Sequence, residues 1–392
     1  MPAGRSGVSA VAVEAVMNIA GYVVEGIFSE RIGVAEKKQE GGHEQTLTMR
    51  VGPEGQKAAV IGAGAWGTTL ANLLATKGMP VRIWAHEREV VETIRSKREN
   101  TAFLPGIKLH QNITPTGALA DAIHQATLII FAVPSHAART VLSQLTALLS
   151  APVAFVSATK GIEEDTLLLM TDVMQELLLP MTHRGILVLS GPSFAQEVSK
   201  GLPTAVTLAG QDQLLVKRMQ GLLMTPTFRV YASADLVGVQ LGGALKNVIA
   251  IAAGVVDGLK LGHDARAALI TRGLAEMVRL GTAMKADPRT FYGLSGLGDL
   301  ILTCTGALSR NYSVGVKLAQ GETLDEVLKD ARTVAEGVRT ARAALGLAKK
   351  HNVDMPIVQE VCQVLFAGKL SRQSVIELME RAAKDEADRV GA

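Results

Sequence analysis

Short apolar runs organise the first part of this chain. Ala58, Ala59, Val60 and Ile61 form a run too brief for a helix and suited to a parallel strand covered on both faces. Leu70, Ala71, Leu73, Leu74 and Ala75 then recur at helical spacing, and Gly78 supplies a stop. The strand signature returns at Val81–Ala85, at Leu128–Val133 before Pro134, and at Val153–Ser157, Ile186–Leu189, Thr204–Ala209 and Phe228–Ala232. Between these runs lie helical patterns such as Glu89–Asn100, and the alternation predicts an α/β fold with a doubly wound sheet. From Asp235 only the helical period remains. It predicts helices over Val237–Leu259, Arg266–Met284, Ser309–Leu318, Thr323–Asp330, Thr333–His351, Met355–Phe366 and Ser374–Arg389. The expected layout is a sheet domain over 57–234 and an all-helical domain over 235–392.

The turn after the first strand carries Gly62, Gly64 and Gly67 in the spacing G-x-G-x-x-G. Each glycine has a mechanical purpose in a Rossmann-type dinucleotide site. Gly62 allows the tight turn, Gly64 lets a diphosphate approach the backbone, and Gly67 lets the helix pack close to the strand with its N–H groups aimed at the anion. The motif alone is weak, and the strand before it and helix after it give it weight. At the end of the second strand, His86 and Arg88 suit a 2′-phosphate while Glu87 suits a bare ribose, a mixed answer that tilts toward NADPH with NADH also accepted. Lys160, in the turn Ala158-Thr159-Lys160-Gly161 at the carboxyl end of a strand, suits an anionic ligand or a solvent-facing role. The segment Ser190–Glu197 places small residues and Pro192 ahead of a helix start, a phosphate-friendly end.

The first 56 residues fit neither domain. Val8–Phe28 is apolar but interrupted by Glu14, Asn18, Gly21 and Glu25, which makes a poor membrane span, and Lys37–Gly55 has linker composition. Residues 1–48 are therefore expected to be a dispensable extension, with Met49 just ahead of the folded part. A net charge of +3 over 392 residues, with no basic stripe interleaved with aromatics, gives no footprint for nucleic acid. Two cysteines, Cys304 and Cys362, exclude a disulfide framework and a four-cysteine zinc site, no metal is expected, and a reducing cytoplasm fits. The apolar helices of the second domain are compatible with a homodimer.

Candidate chemistry gathers in that second domain. Lys246 sits in a helix otherwise apolar on nearly every face, where burying an ammonium without a reason is costly. It is either paired structurally or held with a lowered pKa for proton transfer. Asp257 falls on nearly the same face, yet a rise of roughly 1.5 Å per residue sets the two about 16 Å apart, too far for a direct pair. Asp299 ends a glycine turn, where capping the next helix is the better expectation. Ser309, Arg310 and Asn311 bring a hydroxyl, a guanidinium and an amide to a helix start, a combination suited to phosphate or to a plain N-cap with a surface charge.

Several ordered segments carry a resemblance: GAGAWG at 62–67, FLPG at 103–106, ATKG at 158–161, SGPSFAQE at 190–197, GVQLGGALKNVIAIAAG at 238–254, LITRGLAEM at 269–277, GLGDLILTCTGALSRN at 296–311, VAEG at 334–337 and MPI at 355–357. From about Lys57 to Asp385 the chain resembles the NAD(P)-dependent glycerol-3-phosphate dehydrogenases of the bacterial biosynthetic type. The resemblance implies that Lys246 accepts the proton of the substrate's C2 hydroxyl. It implies that Lys160, Gly191, Ser193, Asp299, Ser309, Arg310 and Asn311 surround glycerol 3-phosphate. It also implies that Ala65, Trp66, His86, Lys160, Ala195, Arg310, Val334 and Glu336 touch the dinucleotide, NADP or NAD. Ala65 often is a serine in such chains, so one diphosphate contact is weakened here. The rival expectation is a two-domain dehydrogenase of a carboxylated hydroxy acid or sugar acid.

Overall fold

The computed structural model describes residues 55–306, 308–329, 335–383 and 385–386. Val334 and, of the first 56 residues, all but Gly55 and Gln56 lie outside the described residues. The first half builds one eight-stranded sheet in the order β3-β2-β1-β4-β5-β6-β7-β8. In chain order the elements are β1 (Ala58–Ile61), α1 (Ala65–Thr76), β2 (Val81–Trp84), α2 (Arg88–Lys97), β3 (Ile113–Thr116), α3 (Leu119–Ile123), β4 (Leu128–Phe131), α4 (Ser135–Thr146) and β5 (Val153–Ser157). They continue with α5 (Met170–Leu177), β6 (His183–Ser190), α6 (Ala195–Ser199), β7 (Thr204–Ala209), α7 (Gln213–Leu223) and β8 (Phe228–Ser233).

Strands β1 to β6 are parallel, and the apolar runs of β1, β4 and β5 are buried along their whole length, as helices on both faces require. Leu70, Val60 and Val156 belong to the core on one face, and Ile61, Phe131 and Phe155 to the core on the other. Two features were not legible in the pattern. β3, with the sequence Ile113-Thr114-Pro115-Thr116, lacks an apolar run and holds a proline, which an edge strand tolerates. β7 pairs antiparallel with β6, and β8 then runs parallel to β7, so the last two strands begin at the edge where β1 to β6 end.

The second half is helical: α8 (Leu236–Gly258), α9 (Gly262–Ala283), α10 (Asp299–Thr305), α11 (Arg310–Ala319), α12 (Leu324–Lys329), α13 (Glu336–Lys350), α14 (Pro356–Phe366) and α15 (Ser371–Met379). The expected helix at 266–284 starts one turn earlier, at Gly262. The one expected over 374–389 runs instead from Ser371 to Met379, and Arg389 lies outside the described residues.

α8 is the axis of this half. It is long and apolar enough to cross a membrane by composition, yet its apolar window is wholly buried within the chain. It runs against α9, α10, α11 and α13, and small residues let it lie close. A Cβ on Gly254 would sit 2.0 Å from the Tyr312 carbonyl oxygen, and one on Gly315 1.9 Å from that of Ile251. Asp257, near its end, pairs with Arg266 at 2.5 Å and accepts from the Tyr312 hydroxyl at 2.6 Å, clear of Lys246.

Candidate active site

The glycine turn behaves as its spacing implies. Gly62 has φ +108°, and a Cβ there would lie 2.6 Å from the Ala132 carbonyl oxygen. A Cβ on Gly67 would meet the Gly62 carbonyl oxygen at 1.9 Å, so only glycine lets α1 pack this close to β1. Gly64 differs: nothing stands within 4 Å of its ideal Cβ, and as N-cap of α1 it brings no side chain to the helix end. Open space ahead of uncapped N–H groups is what a diphosphate requires, so these residues fit a dinucleotide.

Other expected cofactor residues divide. Ala65 and Trp66 open the first turn of α1, but the indole of Trp66 turns inward and packs on Phe228 at 6.5 Å. The backbone N–H of Trp66 stays at the uncapped start of α1. His86, Glu87 and Arg88 are exposed just past β2. Ala195 opens α6, and its carbonyl accepts from Thr69 Oγ1 at 3.2 Å. Glu336 reaches from the start of α13 to the start of α4, where Ser135 Oγ donates to it at 2.6 Å and the Ser135 N–H at 3.3 Å.

Three charged groups from three elements meet at the centre. Lys160 follows β5, Lys246 lies midway along α8, and Asp299 opens α10. Asp299 is fully buried, with one carboxylate oxygen accepting from Lys246 Nζ and the other from Lys160 Nζ at 2.7 Å. The capping expectation for Asp299 is thus corrected. The segment Leu294–Gly298 forms a π-type turn that runs directly into α10, so Asp299 stands inside a continuous helix and its carboxylate turns to the lysines.

Thr303, which sequence reasoning missed, completes the set. Its hydroxyl donates to the Asp299 carbonyl at 2.6 Å and accepts from Lys246 Nζ at 2.8 Å. Its signal was its position four residues after Asp299, on the same face of a helix. Lys246 Nζ therefore has two fixed acceptors besides its own Cε. One tetrahedral position is left: a lone pair when the amine is neutral, a hydrogen when it is charged.

Burial pulls the pKa of Lys246 down to about 7, with Lys160 acting in the same direction and Asp299 opposing. With Lys246 neutral, the cluster of Lys160 ammonium and Asp299 carboxylate carries no net charge, the arrangement that burial favours. Cys304 is no rival nucleophile, since burial pushes its thiol up to about 12.

Around this centre, Lys160 Nζ and Ser193 Oγ both donate to the Gly191 carbonyl, at 3.3 and 2.9 Å. Ser309 caps α11, accepting from the Tyr312 N–H at 3.3 Å. Asn311 commits one of its two amide hydrogens and its amide oxygen within the protein. The amide donates to Asn247 Oδ1 at 2.9 Å and accepts the Gly337 N–H at 2.9 Å, which ties α8, α11 and α13 together. Arg310 has no hydrogen-bond or ion-pair partner among the described residues, and its surface is open. Protein nonetheless crowds the guanidinium, so desolvation lowers its pKa while the Glu336 charge raises it.

The family model for the NAD-dependent glycerol-3-phosphate dehydrogenase N-terminus matches residues 57–216, and that for the C-terminus matches 235–376. A glycerol-3-phosphate dehydrogenase [NAD(P)+] of Geobacter sp. (strain M21) is 53% identical over 331 residues, covering 84% of this chain and 99% of its own. That of Myxococcus xanthus is 48% identical over 330 residues, covering 84% and 98%. The crystal structure of glycerol-3-phosphate dehydrogenase from Coxiella burnetii superposes with a TM-score of 0.80 at 38% identity, over 83% of this chain and 99% of that one. With family models matching both its halves, the chain belongs to the NAD-dependent glycerol-3-phosphate dehydrogenases.

Proposed function

We infer that the chain catalyses the reversible reduction of dihydroxyacetone phosphate to sn-glycerol 3-phosphate with NADPH or NADH, supplying glycerophospholipid synthesis. The observation that carries this reading is Lys246, buried yet held on Asp299 and Thr303 with one position of its nitrogen uncommitted. The nicotinamide, when bound, supplies or takes the hydride at C2 of the substrate. The Lys246 ammonium protonates the alkoxide that forms at C2, and in reverse the neutral amine removes the C2 hydroxyl proton. A pKa near neutrality serves both directions. Asp299 and Thr303 orient the nitrogen, and Lys160 offsets the carboxylate's charge and presents a second cation to the substrate oxygens. Gly191 and Ser193 line the same turn.

Arg310 anchors the phosphate, assisted by the N–H groups at the start of α11, where Ser309 is the cap. Ala65, Trp66, His86, Ala195, Val334 and Glu336 serve the dinucleotide, over the glycine turn of Gly62, Gly64 and Gly67. Asn311 acts through the bonds that hold Asn247 and the start of α13. The domain division at about residue 235 is supported by the change from strands to helices, and the two buried free cysteines suit a cytoplasmic enzyme. A homodimer rests on exposed Leu370, Ile376 and Met379 about α15, and a monomer in sedimentation equilibrium would end that reading.

The test is spectrophotometric. Oxidation of NADPH or NADH should proceed with dihydroxyacetone phosphate and fail with carboxylated 2-keto acids. Turnover of the keto acids instead would overturn the assignment.

A further inference from the structure

Arg310 and Glu336 are brought together by the 2.9 Å bond from the Gly337 N–H to Asn311 Oδ1, each preceding one of its partners. Burial lowers the pKa of Arg310 and raises that of Glu336, and the charge of each opposes the other's shift. Among the described residues they make no ion pair, and Glu336 is hydrogen-bonded to Ser135. Its two carboxylate oxygens take the Ser135 hydroxyl at 2.6 Å and the Ser135 N–H at 3.3 Å, at the start of the 12-residue helix α4, whose end favours an anion. The seat is closely fitted. Ser135 is 2% exposed, and a Cβ on Gly161 would lie 2.6 Å from Ser135 Oγ and 3.2 Å from Glu336 Oε2. Gly161 follows Lys160, so the seat abuts the turn that carries one of the two cluster lysines.

We propose that Ser135 is a positioning residue whose hydroxyl keeps Glu336 off Arg310 and so leaves the Arg310 guanidinium unpaired for the substrate phosphate. Without the hydroxyl, Glu336 retains only the longer of its two bonds to α4. A bidentate ion pair with Arg310 then becomes the better partner. The phosphate must displace that carboxylate, and apparent substrate affinity falls by the fraction of chains in which Arg310 is free. This inference rests on Arg310 as the phosphate anchor.

The test is a set of steady-state measurements at saturating NADPH on Ser135→Ala, Ser135→Thr, Glu336→Gln, Arg310→Ala and the double variant Ser135→Ala/Glu336→Gln. Ser135→Ala should raise KM for dihydroxyacetone phosphate about 10- to 150-fold, the size of a bond to a charged group of roughly 1.5–3 kcal/mol, with kcat changed less than about 3-fold. Ser135→Thr should restore KM. The Ser135→Ala penalty should also vanish when the charge at position 336 is absent, so the double variant should match Glu336→Gln alone. A KM for dihydroxyacetone phosphate unmoved by Ser135→Ala, or a penalty of the same size in the Glu336→Gln background, overturns the inference. If Arg310→Ala also leaves that KM unmoved, the phosphate anchor itself is wrong; a raised KM there confines the failure to Ser135.

Discussion

Lys246 is a lysine whose ordinary chemistry has been altered by its surroundings. Position in α8 removes it from water, Asp299 returns part of the lost stabilisation, and Lys160 takes part of that back. The resulting pKa of about 7 has opposite consequences for the two directions of reaction. Reduction of dihydroxyacetone phosphate needs the ammonium, so its rate should fall as pH rises through neutrality. Oxidation of glycerol 3-phosphate needs the free amine, and its rate should rise over the same interval. Initial rates across the pH range in both directions check this, and profiles of the same slope in both would contradict it. The role of Lys246 was readable as an alternative from one charge in an apolar helix. Its partners were not, because Asp299 and Thr303 are brought to it by a π-type turn that no periodicity announces.

Among the elements, the β1–α1 turn separates what the fold needs from what the cofactor needs. Gly67 is pressed against the Gly62 carbonyl, so Gly67→Ala forces α1 off the strand and should lower both the melting temperature and dinucleotide affinity. Gly64 has φ −66° and open space where a Cβ would go, so Gly64→Ala should leave the melting temperature within a few degrees while weakening NADPH binding. Thermal melts with and without NADPH distinguish the two, and a large loss of stability from Gly64→Ala would contradict this reading. Continuous apolar runs made β1, β4 and β5 legible in the sequence. β3 escaped because an edge strand can do without such a run and tolerate a proline. The antiparallel turn of β7 escaped because direction leaves no mark on hydrophobic periodicity.

At the scale of the whole molecule, the sheet's carboxyl edge and the helical half share one site, with Lys160 from one reaching Asp299 in the other. The relatives match about 330 residues of this chain and nearly all of their own length, and we propose that residues 1–48 are dispensable for activity. A chain beginning at Met49 should keep the turnover number and melting temperature of the full one, and a marked fall in either would contradict this. The fold class and the buried lysine were visible because dinucleotide turns and a lone charge in an apolar helix leave local marks. The inward turn of Trp66 and the structural engagement of Asn311 depend on contacts distant in sequence and leave none.

The proton-transfer role of Lys246 is tested most directly by single-turnover hydride transfer in Lys246→Ala, with NADPH and dihydroxyacetone phosphate both saturating. The rate should drop by about 10²–10⁴-fold, the usual contribution of a positioned acid or base, while the dissociation constant for NADPH measured on the same sample stays unchanged. A transfer rate within a few-fold of that of the unsubstituted chain would contradict it.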